Sequence, residues 1–378
     1  INNFKIKVVG SRLTVTNCVK QGLVRCWLTL DDSNAEISGN GIGICGNNGT
    51  DVLIMKNGSN LTMEDNGTAG IFLWGGKVKV EADNTLTITG TGKDIKEKTD
   101  SRYDGALAVY YYYNTYTADV NFEDGATVNL IDNDVSAINN DGKVYIGNGT
   151  TIMNNGSKTV YGGGIQNRGD ITIAPNVKLY NNHAKVAGDD IYNTTGTSAN
   201  GLTSYTGSIT FAPVGDGWIL DDCKEEHPIV GWYHDGKEKR WNGDGEGDDY
   251  YADEYTVGKE AVTDALALKA AHGKFCNVTY EVTGDVPSDA GARPADAKVK
   301  KGGNYTVAPV QTTSQSRYTF SGWRINGVGD VVTEIKDIQQ DVKLIGVWTR
   351  RSSGGGGGSS KPTVDIPDDV PTSAHLVG

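Results

Sequence analysis

Residues 134–155 read DVSAINND-GKVYIGNG-TTIMNN, and residues 156–182 read GSKTVYGGGIQNRG-DITIAPN-VKLYNN. Divided at its turns, each stretch is three short runs that close on an Asn pair, Asn154-Asn155 and Asn181-Asn182. From Asn133 to Asn155 is 22 residues, and from Asn155 to Asn182 is 27. Apolar side chains alternate within the runs: Val144 and Ile146, Ile171 and Ile173, Val177 and Leu179. An alternation of two buries one face of an extended strand and wets the other. The separators are Asn-Gly, Asp-Gly and Gly-Asn pairs, which suit turns with positive φ. Three strands and three turns make one coil of a solenoid. A single coil cannot bury its apolar face alone, so coils must stack.

The same triplet extends toward the N-terminus. Residues 41–66 read GIGICGNNG-TDVLIMKNG-SNLTMEDN, residues 67–90 read GTAGIFLWG-GKVKVEADN-TLTITG, and residues 105–133 read GALAVYYYYNTYT-ADVNFEDG-ATVNLIDN. Val78 and Val80, Leu86 and Ile88, and Val128 and Leu130 continue the alternation. The predicted fold is all-β: a parallel β-helix over residues 1–220, preferred to a meander of hairpins because hairpins need no triplet. Asn66, Asn133, Asn155 and Asn182 then fall at equivalent corners, where their amides can form ladders along the stack. Residues 221–274 break the repeat. With Trp218, Trp232, Tyr233, Trp241 and the run Ala265-LALKA, they are expected to cap the open end. Residues 275–350 alternate again at Val278, Tyr280 and Val282 and at Val342 and Leu344, with Trp323 and Trp348 for bulk; they predict a small β-rich module. Residues 351–378 begin with a Ser/Gly tract followed by three prolines and read as a flexible linker.

Composition sets outer bounds. The 378 residues include 51 glycines, nearly twice the ~7 % average, but no G-X-Y period, which excludes collagen. A net charge of −12 argues against a nucleic-acid partner. No apolar run reaches the roughly 18 residues of a membrane span, so no membrane insertion is expected. The chain begins at Ile1, as expected after removal of a signal peptide or excision from a longer chain. The five cysteines are Cys18, Cys26, Cys45, Cys223 and Cys276, with no C-x-x-C pair for zinc. Cys18 and Cys26 could pair, or both could be buried thiols.

Tyr161-GGGIQNRG, followed by VKLYNNHAKVAGDDIYN, resembles the GG-x-I and x-x-N repeats of polymorphic outer-membrane-type adhesins. It is equally similar to β-helix repeats of surface proteins from Gram-positive gut bacteria. The resemblance implies a right-handed helix. The segments Val278-TYEVTGD, Phe320-SGW and Gly346-VWT resemble the SHIRT domain, a stalk module of Gram-positive surface adhesins. Together the resemblances imply an extracellular, cell-wall-attached or secreted, monomeric and non-catalytic adhesin, whose partner is a host or neighbouring-cell glycan or protein.

Within that expectation the binding candidates are aromatic. Tyr110, Tyr111, Tyr112, Tyr113 and Tyr116 crowd one coil, with Trp74 and Tyr145 on the coils to either side; alternate tyrosines of a strand face outward, where they favour contact. Two alternatives stay open. A polysaccharide lyase or glycoside hydrolase would use a carboxylate pair, and Asp189 and Asp190 are the candidates, although no G-H-G triplet accompanies them. The other is a structural rod without ligand. No cofactor is expected; Asp244, Glu246, Asp248 and Asp249 form an acidic loop with the oxygen ligands for Ca²⁺, but without the EF-hand pattern.

Overall fold

The structure is a computed structural model that describes residues 4–46, 51–95, 101, 103–110, 118–197, 204–221, 226–242 and 252–352. The chain divides into two compact units, Ile1–Lys274 and Phe275–Gly378. Every regular element among the described residues is a β-strand.

The first unit is built largely from short strands dealt in turn to three sheets of eight, seven and ten strands; from the first described strand to the eighteenth, each pairs in parallel with the strand three places on. In the first sheet Val78, Val120, Val144 and Ile171 occupy one register position, and in the second Met63, Ile88, Leu130, Ile152 and Leu179 do the same. All nine side chains are buried in a single core. The period-2 alternation has this consequence: Val and Ile of successive passes pile directly on one another, and the polar residues between them face out.

The turns at one corner repeat a single device. Asn17, Gly39, Asp65, Gly90, Asp132, Asn154 and Asn181 all have positive φ. Only Gly, Asn and Asp adopt this conformation readily. From Asn40 onward the next residue in each case is buried, and Asn40, Asn66, Asn133, Asn155 and Asn182 join a ladder. The Asn133 amide donates to Asn155 Oδ1 at 2.8 Å and the Asn155 amide to Asn182 Oδ1 at 2.9 Å; nearer the N-terminus Asn40 donates to Asn66 Oδ1 at 3.2 Å. Thr91 interrupts the row: its backbone N–H reaches Asn133 Oδ1 at 2.9 Å, while its hydroxyl is buried with no partner among the described residues. A second corner carries Asn140, Asn167 and Asn193, linked at 2.9 and 2.7 Å. The third uses Ser33, Ser59 and Asn84, each accepting a backbone N–H from the preceding pass or its corner. The ladders satisfy buried polar groups that the tight corners leave without strand partners.

The third sheet changes direction at its far end. After Ile191–Asn193 it continues with the antiparallel strands Leu266–Ala271, Gly231–His234 and Glu254–Tyr255. Trp218 stacks on Tyr180 at 4.8 Å and meets the edge of Trp232, whose indole N–H donates to the Ala212 carbonyl. Cys18, Cys26, Cys45 and Cys276 are all free thiols, so the Cys18–Cys26 pairing is not formed. The two lie on either side of the strand Gln21–Val24, at different corners, and each Sγ instead faces a backbone carbonyl two residues back.

In the second unit Phe275–Gly284 and Val342–Arg350 pair in parallel at the centre of a mixed sheet. Trp323 fills its core, with the rings of Tyr280 and Phe320 edge-on at 4.8 and 5.0 Å. The Trp348 indole donates to Gln311 Oε1 at 3.0 Å.

Candidate functional site

Aromatic side chains gather on the third sheet. In the strand Ala69–Leu73, Ile71 and Leu73 enter the main core, whereas Phe72 joins a separate apolar cluster with Cys45, Ala69 and Ala108. Both faces of this sheet are therefore covered. Trp74 follows that strand, and Tyr110 follows the next one, Gly105–Val109; Tyr110 N–H donates to the Leu73 carbonyl at 2.8 Å, which sets the two rings in matching positions on adjacent passes. Their centroids are 6.2 Å apart. Tyr103, from the segment before the strand Gly105–Val109, lies against both, 6.4 Å from Trp74 and 5.2 Å from Tyr110, and 5.5 Å from Phe72. Phe72 is 3 % exposed and Tyr103 46 %, so the set runs from a buried anchor to a solvent-facing rim. Such a gradient suits contact with an apolar body that carries polar edges.

The sequence-based candidates divide at this point. Trp74 and Tyr110 are brought together. Tyr145 is not beside them: it sits in the first sheet on the strand Lys143–Ile146, where its hydroxyl donates to Asp124 Oδ1 at 3.2 Å. Burial and that hydrogen bond push its pKa up. Trp74 and Tyr145 do fall on either side of the Tyr110 segment in sequence, but successive strands go to three different sheets, and these two residues belong to different ones. Tyr111, Tyr112, Tyr113 and Tyr116 lie outside the described residues, as do Asp244, Glu246, Asp248 and Asp249. Among the described residues no group of three or more His, Cys, Asp or Glu is placed to hold a metal ion. No described helix is long and apolar enough to cross a membrane. Phe72 was not singled out from the sequence, because its alternation assigns it to an outer face that is ordinarily wet.

Asp189 and Asp190 lie where the parallel passes meet the antiparallel strands. Asp190 is the last rung of the Asn ladder: its Oδ1 accepts the Asn182 amide at 2.8 Å, and its Oδ2 accepts Ala270 N–H at 2.8 Å. Burial pushes its pKa up to about 7, against those donors. Asp189 faces the other way, with Lys269 Nζ at 2.8 Å and Arg240 Nη2 at 2.5 Å. Burial would raise its pKa, but the charges of Lys269 and Arg240 outweigh that and hold it below the ordinary value. Arg240 also binds Asp235 Oδ1 at 2.6 Å, and Asp235 Oδ2 accepts Asp189 N–H at 2.8 Å. The ring of Trp241 lies under Lys269, 5.3 Å from its nitrogen. Asp235, Arg240 and Lys269 carried no signal in the sequence, since they stand 46 to 80 residues from their partner.

No protein-family model matches the chain, and no curated protein matches it.

Proposed function

We propose that this chain is an extracellular, non-catalytic binding protein of the bacterial cell surface, an adhesin. In this reading the first unit is a right-handed parallel β-helix whose side presents the binding face. The second is a SHIRT-like stalk module; residues 353–378, read from the sequence as a linker, lie outside the described residues. The protein acts as a monomer, without cofactor, and its partner is a host or neighbouring-cell glycan or protein.

The observation that carries the reading is the set Phe72, Trp74, Tyr103 and Tyr110, gathered outside the main core on a rigidly stacked sheet. Buried aromatic anchors with exposed aromatic rims are the usual energetic centres of binding surfaces. The non-catalytic part is supported by Asp189 and Asp190, which are 6 % and 0 % exposed and have internal donors on both oxygens. A general acid or base must reach a substrate.

The test is an array of host glycans, mucins and serum proteins probed with the full chain and with a Trp74→Ser, Tyr110→Ser variant. Saturable binding to one class is expected, weakened about thirtyfold or more in the variant, as for loss of an aromatic hot spot. Binding to any ligand other than a uronic-acid polymer that the variant retains in full would refute the site. A blank array would refute the adhesin reading in favour of a rod without ligand.

A further inference from the structure

The first sheet carries a second feature, close in sequence to Trp74 and Tyr110 but on a different sheet. Lys77, Asp119, Lys143 and Asp170 occupy the same register position on four successive strands. Parallel neighbours are about 4.8 Å apart, so charge alternates plus, minus, plus, minus at that step along the stack. The four side chains make no ion pair or side-chain hydrogen bond with any described residue. They line one side of an open groove of about 550 Å³, with Asp141 and Thr206 among its other walls. Asp141 is already engaged, by Arg168 Nε at 2.5 Å. The groove is kept open by its backbone. A Cβ on Gly142 would lie 2.7 Å from the Ala118 carbonyl oxygen, and one on Gly169 would lie 2.2 Å from that of Gly142, so neither position can carry a side chain that fills the space.

We propose that this groove binds a linear polysaccharide in which a uronic acid alternates with an N-acetylamino sugar. A pyranose ring in an extended glycan advances by about the spacing of parallel strands, so a chain lying along the stack offers one sugar to each pass. Lys77 and Lys143 then face the carboxylates of successive uronic acids. Asp119 and Asp170 face the sugars between, where hydroxyl and amide N–H groups donate to them. A homopolymer of uronic acid would set carboxylates against Asp119 and Asp170, and like charges reject it. A neutral glucan leaves both lysines without a counter-charge. The overall charge of −12 gives no general attraction for an acidic polymer, so the register itself must select the ligand.

The probes are an unsulfated hyaluronan decasaccharide, polygalacturonate of similar length and a neutral β-glucan, titrated onto the full chain by calorimetry at low ionic strength. Saturable binding is expected for hyaluronan alone. Lys77→Ala and Lys143→Ala should each weaken it about five- to tenfold, with unchanged thermal melts because both side chains are exposed. The Trp74→Ser, Tyr110→Ser variant should bind hyaluronan as the parent does, which separates this site from the aromatic one. Absence of hyaluronan binding would overturn the proposal. So would equal binding of polygalacturonate, full affinity in the double lysine variant, or loss of binding only in the aromatic variant.

Discussion

Asn154 and Asn155 are adjacent and chemically identical, yet Asn155→Ala should cripple the stack where Asn154→Gly should leave it intact. The Asn155 amide donates to the Leu130 carbonyl, the Met153 carbonyl and Asn182 Oδ1 at 2.8, 2.9 and 2.9 Å. Its Oδ1 accepts both the backbone N–H and the amide of Asn133, at 3.1 and 2.8 Å. After truncation Asn133 Nδ2 still has the Ile88 and Ile131 carbonyls, and Asn182 Oδ1 still has the Asn155 backbone N–H. The Asn133 N–H, however, loses the side-chain acceptor it has in the buried corner. One buried donor left without that acceptor costs about 1–3 kcal/mol, and the remaining side-chain bonds about 1 kcal/mol each before compensation, so a loss of roughly 3–5 kcal/mol is expected. Asn154 is exposed, has φ of 58° and makes one side-chain bond, to Asp132 Oδ1 at 3.1 Å. Glycine adopts that φ freely, so Asn154→Gly should change stability by less than about 1 kcal/mol. Urea unfolding followed by far-ultraviolet circular dichroism gives the global figures. Amide hydrogen exchange over residues 128–182 reports local opening, which matters because a stacked protein need not unfold in one step. If Asn155→Ala is within about 0.5 kcal/mol of the parent, or if Asn154→Gly costs as much, the ladder does not hold the corner as described.

Two further outcomes follow from the buried charges and the second core. Asp190 binds its proton more tightly in the folded chain, so the stability it contributes is present at low pH and is lost as pH rises from its ordinary 3.8 through about 7; the fully ionised form forfeits at most about 4 kcal/mol. Asp189 acts in the opposite sense: held low by Lys269 and Arg240, it stabilises above its ordinary 3.8 and loses that contribution in acid. Exchange protection of amides in Leu266–Ala271 should therefore be greatest near pH 4, fall below it as Asp189 is protonated and fall above it until about pH 7 as Asp190 ionises, and a profile that rises steadily to pH 9 would contradict the burial of Asp190. In the second unit, Trp323→Ala should cost about 3–5 kcal/mol of that unit's stability by emptying its core. A calorimetric scan should show its transition lowered while that of the first unit stays in place; a common shift of both would mean that the two do not melt independently.

The all-β class, the stacking and the burial of alternate residues were legible in the sequence because all three depend on local periodicity. Val78, Leu86, Val128, Ile146 and Ile171 announce their inward direction by position alone, and a left-handed corner accepts so few residue types that Asn, Asp and Gly mark it. The inward role of Asn66, Asn133, Asn155 and Asn182 was legible for the same reason, since their spacing repeats with the coil. Periodicity does not say on which side of a coil an aromatic residue lies, and only the stacking placed Tyr145 on the first sheet and set Trp74, Tyr103 and Tyr110 together on the third. The partners of Asp189 were equally hidden: Arg240 and Lys269 approach from 51 and 80 residues away. Each of those side chains would otherwise be a solvated charge, and it is the closing of the antiparallel strands over the last pass that removes water and leaves the opposite charges to satisfy one another. What a strand buries follows from its own alternation; what a charged or aromatic side chain meets follows from distant segments that only the folded chain brings together.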